Sequence, residues 1–128
     1  MNQSEMLVRF AHEGFFDCFL LTGRYSLIEQ GALKELLPLC ALKSISVIIG
    51  GPYNSGILAT GAKSGAKYNY VEAPNEVVEK VRQIGAVRDQ YAVPLKAAAL
   101  QFPLSHPAVA AVVQVAGPPQ RLKRILGW

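Results

Sequence analysis

Ser46-Val47-Ile48-Ile49-Gly50-Gly51-Pro52 is the stretch on which the fold turns. Three β-branched apolar residues in a row fit a strand, and the run lacks the alternation of a sheet wetted on one side. Two glycines and a proline then stop it abruptly, so Ser46–Ile49 reads as a buried strand ending in a loop. Upstream, Ala32–Leu42 carries Leu33, Leu36, Leu37 and Cys40 at helical spacing, with Pro38 expected to kink this helix or shift its start. Before it, Phe15–Thr22 (FFDCFLLT) is a nearly continuous apolar run, the pattern of a strand covered on both sides. Ser4 is placed to cap a first helix through about His12, with Met6, Leu7 and Phe10 on its apolar face.

Downstream of the opening stretch, a loop runs from Gly51 to about Pro74, long enough to suggest a functional role. Pro74 opens a helix with an apolar stripe of Val77, Val78, Val81, Ile84 and Val87, and Pro94 opens a second over Leu95–Gln101. Ala108–Val115 is a third strand, and Pro118-Pro119 can start a last helix over Arg121–Leu126. The order α-β-α-β-α-α-β-α implies parallel crossovers and an α/β sheet. Three parallel strands make a small sheet whose apolar edges stand unpaired.

Composition sets the outer bounds. The 128 residues are 51% hydrophobic and 17% charged, which excludes a disordered chain. Neither the 11 glycines nor the 8 prolines are periodic, which excludes a collagen-like one. The apolar excess, with mean hydropathy +0.22, points to strands buried on both faces or to surface meant to be covered. A net charge of +4 raises nucleic acid as a partner, but most cations are scattered. Only Arg121, Lys123 and Arg124 cluster, where they read as cations at a helix C-terminus. Cys18 and Cys40 read as buried free thiols of a reducing cytosol. Met1-Asn2-Gln3-Ser4-Glu5 does not read as a signal peptide, and Ala108–Val113 is far short of a membrane span. A cytoplasmic protein with no nucleic-acid and no membrane partner is therefore expected.

No catalytic constellation stands out. His12 and His106 lack companions at relay or ligand spacing, and nothing has the spacing of a metal site. Gly50, Gly51, Gly56, Gly61 and Gly65 make the intervening loop glycine-rich. Gly56 and Gly61 have the gap of a phosphate-binding P-loop, but Ala62 stands before Lys63-Ser64 and displaces the lysine by one residue. What remains is the end of the second strand, Gly50-Gly51-Pro52-Tyr53-Asn54, where glycines let a ligand approach the backbone. A plain tight turn reads equally well from these residues alone. In parallel α/β folds ligands bind at the C-terminal ends of strands. There the first strand delivers Gly23-Arg24-Tyr25-Ser26 and the third Gln114–Gly117. Tyr25, Tyr53 and Asn54 would flank one pocket for a polar small molecule, with Tyr68-Asn69-Tyr70 as a covering flap.

The strings FLLTGRYSLIEQ, IGGPYNSGILATG, AKYNY and VPLKAAALQFPLSHPAVAAVV together resemble the aldo-keto reductase superfamily. The nearest branch is that of the aldose dehydrogenases of the L-fucose/D-threo-aldose and L-galactose type. The likeness runs from Met1 to Trp128 and implies one incomplete domain. That domain would be part of an eight-stranded (β/α) barrel, from the end of its fifth strand through its eighth and the C-terminal helices. Met1-Asn2-Gln3 resembles the end of the family's fifth strand, so that Met1 would be an internal methionine of a longer ancestor.

By resemblance the activity is NAD- or NADP-dependent oxidation of an aldose to its lactone. The family's catalytic Tyr, Lys, Asp and His all belong to the first half of the barrel and have no counterparts here. The resemblance leaves this chain the cofactor side. Asn2 matches the residue that hydrogen-bonds the nicotinamide amide. Gly50, Gly51, Pro52 and Tyr53, with Asn54 beside them, match the segment along the nicotinamide and pyrophosphate. Gly50 stands where many members have a stacking Tyr. Lys123 stands at an Arg that meets the adenosine phosphate, and Ile125 replaces an Asn. Tyr25 and Tyr70 fall on the substrate side.

Three readings follow. One is a descendant of an aldose dehydrogenase, inactive alone. Another is a half-barrel that assembles with a second chain or with itself. The last is a non-enzymatic module that meets partners through its strand edges.

Overall fold

The computed structural model describes residues 2–62, 65–69 and 71–114. Its centre is a three-stranded parallel sheet of β1 (Cys18–Thr22), β2 (Ser46–Gly50) and β5 (Val109–Val113), in the order β1-β2-β5. This is the expected α/β fold with a parallel sheet. β1 and β2 run in unbroken register from Cys18 opposite Ser46 to Thr22 opposite Gly50. Between β2 and β5 the register shifts: Val47 faces Val109, but Ile48 faces Ala111.

The apolar runs do not mean what continuous burial would mean. In β1, Phe19 and Leu21 are buried while Cys18 and Leu20 lie exposed, so one face is packed and the other bare. Phe15 lies outside the strand and is fully exposed. The helices α1 (Ser4–Glu13) and α2 (Leu36–Leu42) share one core with the packed face, built on Leu21, Leu36, Leu37, Val47 and Ile49. Cys40 is buried there as expected, whereas Cys18 is exposed because its position points to the bare face.

Two details of the first helix differ from expectation. Ser4 lies inside α1, and Gln3 occupies the cap position without a side-chain hydrogen bond. The helix buries Leu7, Val8 and Ala11, because packing against α2 selects a stripe one residue on from Met6 and Phe10. Phe10 joins an aromatic row instead, 6.3 Å from Phe16, which lies 5.2 Å from Phe19. The second helix is shorter than expected. A 3-10 turn at Gly31–Leu33 precedes α2, leaving Leu33 exposed. Pro38 falls in the first turn of α2, where its missing N–H leaves no helical bond unmade.

The long loop is structured. It holds a short helix α3 (Ile57–Thr60) and an antiparallel hairpin of β3 (Lys67–Tyr68) and β4 (Val71–Glu72). The helices α4 (Asn75–Gln90) and α5 (Leu95–Gln101) begin after Pro74 and Pro94 as expected. They share with α3 a second core that includes Ile57, Leu58, Val81 and Ala99. In α4, Val77 and Val81 are buried, but Val87 of the expected stripe is 56% exposed. The expected last helix lies outside the described residues. Among the described residues, no helix is long and apolar enough to cross a membrane.

Candidate functional site

The C-terminal ends of β1 and β2 meet where glycine replaces side chains. A Cβ on Gly50 would stand 3.1 Å from Thr22 Oγ1, a contact too tight without adjustment. The next residue, Gly51, has φ = 62°, and a Cβ there would lie 3.4 Å from the Gly23 nitrogen. Gly23 has φ = 68°, and its amide donates to the Gly50 carbonyl at 3.0 Å, extending the ladder past the strand ends. At this rim Gly50 is buried against Thr22, and the backbone is approachable at Gly51, which is exposed at the crest.

Behind this rim, one buried polar contact ties the two loops together. The Ser26 hydroxyl donates to Asn54 Oδ1, and Asn54 Nδ2 donates to the Gly23 carbonyl at 3.3 Å. Ser26 is fully buried and Asn54 nearly so, and both find their partners in each other's loop. Ser26 is fixed in turn by paired backbone bonds with Glu29, at 2.8 and 3.3 Å.

The hairpin closes over the same loop at two points. The Tyr68 hydroxyl donates to Glu29 Oε2 at 2.7 Å, and the Arg24 guanidinium donates to Asn69 Oδ1 at 3.3 Å and to the Gly23 carbonyl at 3.1 Å. Burial, followed by the hydrogen bond to the Glu29 carboxylate, pushes the Tyr68 hydroxyl up to about 12.

The sequence-predicted residues separate into three groups. Gly50, Gly51, Pro52, Tyr53 and Asn54 form one continuous turn at the rim, but Pro52, Tyr53 and Asn54 turn their side chains inward. Tyr53 packs into the core of α3, α4 and α5, its hydroxyl without a partner among the described residues. Tyr25 corrects the picture of two tyrosines flanking one pocket. It is buried in the other core, 5.3 Å from Phe102 and edge-on to His106 at 6.4 Å. The side chain is apolar enough to pack, and burial raises its hydroxyl above the ordinary 10.0. Asn2 is exposed ahead of α1, and the bonds that tie the rim together do not include it. Tyr70 and Lys123 lie outside the described residues.

Sequence reasoning missed the Ser26–Asn54 and Glu29–Tyr68 contacts. A signal was present in Ser26-Leu27-Ile28-Glu29, the serine-plus-acid spacing of a self-bonded turn. Neither histidine joins the rim network. His106 Nδ1 accepts from the Ala108 amide at 3.0 Å, which starts β5. Among the described residues, no three His, Cys, Asp or Glu side chains gather as a metal site would need. The strand ends thus bring together exposed backbone at Gly51, the Arg24 guanidinium and a pinned hairpin.

The aldo/keto reductase family model matches residues 3–128. A pyridoxal 4-dehydrogenase of Microbacterium luteolum is 37% identical over 128 residues, covering 100% of this chain and 37% of that protein. A D-threo-aldose 1-dehydrogenase of a Pseudomonas species is 37% identical over 120 residues, covering 93% of this chain and 36% of its own length. The chain thus spans a little over a third of the length of these relatives.

Proposed function

Because the chain belongs to the aldo/keto reductase family, we propose that it forms the cofactor-binding side of an NAD- or NADP-dependent oxidoreductase acting on a sugar-like aldehyde or lactol. On this reading it is the C-terminal part of a (β/α)8 barrel, and an aldose substrate would leave as its lactone. The carrying observation is the side-chain-free rim at Gly50 and Gly51, pressed against Thr22 and Gly23. The glycines let the two strand ends close against each other, and the exposed backbone of Gly51 is where a flat ring and its phosphate linker can lie. When bound, the nicotinamide dinucleotide supplies the hydride transfer.

The residues of this chain hold and orient. Gly50 and Gly51 offer backbone along the ring and linker, while Pro52 and the buried Asn54 fix the turn that presents them. Arg24 brings a positive charge within reach of a phosphate. The hairpin, held by Tyr68 and Asn69, steadies the loop that carries Arg24. Proton transfer is assigned to residues outside this chain, and the chain alone is inactive in turnover.

Calorimetric titration of the full 128-residue chain with NAD⁺ and NADP⁺ tests this reading. Saturable binding to one of them is expected, weakened at least tenfold in Gly51→Ala. Protein-to-nucleotide saturation-transfer NMR on the unaltered chain gives the same answer should the variant not fold. Heat and NMR signals absent for both nucleotides would reject it.

A second reading draws on the bare sheet face, where Leu20 and Val113 are 50% and 55% exposed. There the chain associates through this face and the β1 and β5 edges with another chain, or with itself, as a half-barrel partner. Sedimentation velocity tests it, a monomer at all concentrations being the contrary result.

A further inference from the structure

A groove of about 950 Å³ lies between the loop before α2, one face of α4 and the start of α5. It shares no residue with the rim at Gly23, Ser26 and Gly50–Asn54. Helix α4 has two stripes. Val77 and Val81 enter the core, whereas Lys80, Ile84, Val87 and Arg88, at helical spacing, face the groove. Ile28 supplies apolar surface from the facing loop, and Lys34 brings a third cation.

Two properties define what would fit. The walls are mainly apolar, and every charged residue among them is basic: Lys34, Lys80 and Arg88. Arg88 is the informative one. Its Nε is enclosed by protein and has no partner among the described residues, so a ligand in the groove meets the terminal nitrogens, one of which lies 3.4 Å from Asp89. With Lys34 and Lys80 the wall carries a surplus of positive charge, and a carboxylate is the group that pairs best with guanidinium nitrogens.

We propose that this groove binds an amphipathic carboxylate, a small molecule with an alkyl or aryl body and an anionic head at Arg88. The volume is that of a small-ligand site rather than of a protein interface.

The full chain is titrated with decanoate, 1-decanol and butyrate, following the methyl resonances of Ile84 and Val87 by NMR. Decanoate is expected to bind at least tenfold more tightly than either other probe, with shifts confined to groove residues. Arg88→Gln is expected to weaken decanoate at least tenfold and leave 1-decanol unchanged. Val87→Glu, at an exposed position that does not threaten the fold, places a like charge in the groove and is expected to weaken decanoate further than 1-decanol. Equal binding of decanoate and decanol, indifference to both substitutions, or shifts centred elsewhere would overturn the proposal.

Discussion

Asn54 occupies a left-handed conformation with φ = 48°, and its neighbour Ser55 does the same at φ = 62°. Asparagine tolerates that region better than most side chains, and here its carboxamide also meets Ser26 and Gly23. Asn54→Ala therefore loses twice, on backbone and on hydrogen bonding, and leaves a buried hydroxyl unpaired. A loss of about 2 kcal/mol in urea unfolding is expected, with a smaller loss for Asn54→Gly, which recovers the backbone freedom alone. Tyr68 gives a second test. Its hydroxyl is held up to about 12 against an ordinary 10.0, first by burial and then by Glu29. The unfolded chain ionises near the ordinary value while the folded chain does not. Its contribution to stability is thus intact below pH 10 and fades as pH rises from about 10 towards 12. Glu29→Gln should lower the ultraviolet titration midpoint of this tyrosine only part of the way, because burial remains.

The helix α4 shows what separates a legible element from its packing. Pro74 and Pro94 announce the starts of α4 and α5, because a proline at a helix start is a local constraint on φ. Gly50-Gly51-Pro52 likewise announces the end of β2 at the place where the candidate site forms. What the sequence does not disclose is which face meets a neighbour. Val77 and Val81, four apart, share one face and are buried, whereas Val87 stands six residues beyond Val81, about 120° round the helix, and is exposed. The same holds for Tyr25 and Tyr53, whose apolar rings pack into two different cores while their positions suggest one pocket. Periodicity reports a broad stripe, and tertiary contacts decide how much of its width is buried. Val81→Ala should cost about 2 kcal/mol in thermal or urea unfolding and Val87→Ala less than about 0.5. Equal losses at the two positions would mean that α4 packs along its whole length.

At the scale of the molecule, the three-stranded sheet is packed on one side only. Helices cover Phe19, Leu21, Val47 and Ile49, while Leu20 and Val113 lie open on the other. This resolves the apolar excess: part of it is core and part is surface that a neighbour would cover. Leu20→Ser should leave the melting temperature nearly unchanged and reduce self-association in sedimentation or light scattering. A large fall in melting temperature would place Leu20 in the core instead.

The shift of register between β2 and β5 has a consequence for how the third strand may be edited. Val109 and Val112 both lean towards the helices although they stand an odd number of residues apart, because one extra residue sits between the partners of Val47 and Ile48. Removing Ala110 would set Val109 and Val112 two residues apart, the spacing of a regular strand, and leave both facing the helices. The irregularity is a phase correction confined to Ala110, so deleting any residue from Ala111 onward would instead turn part of the third strand inside out.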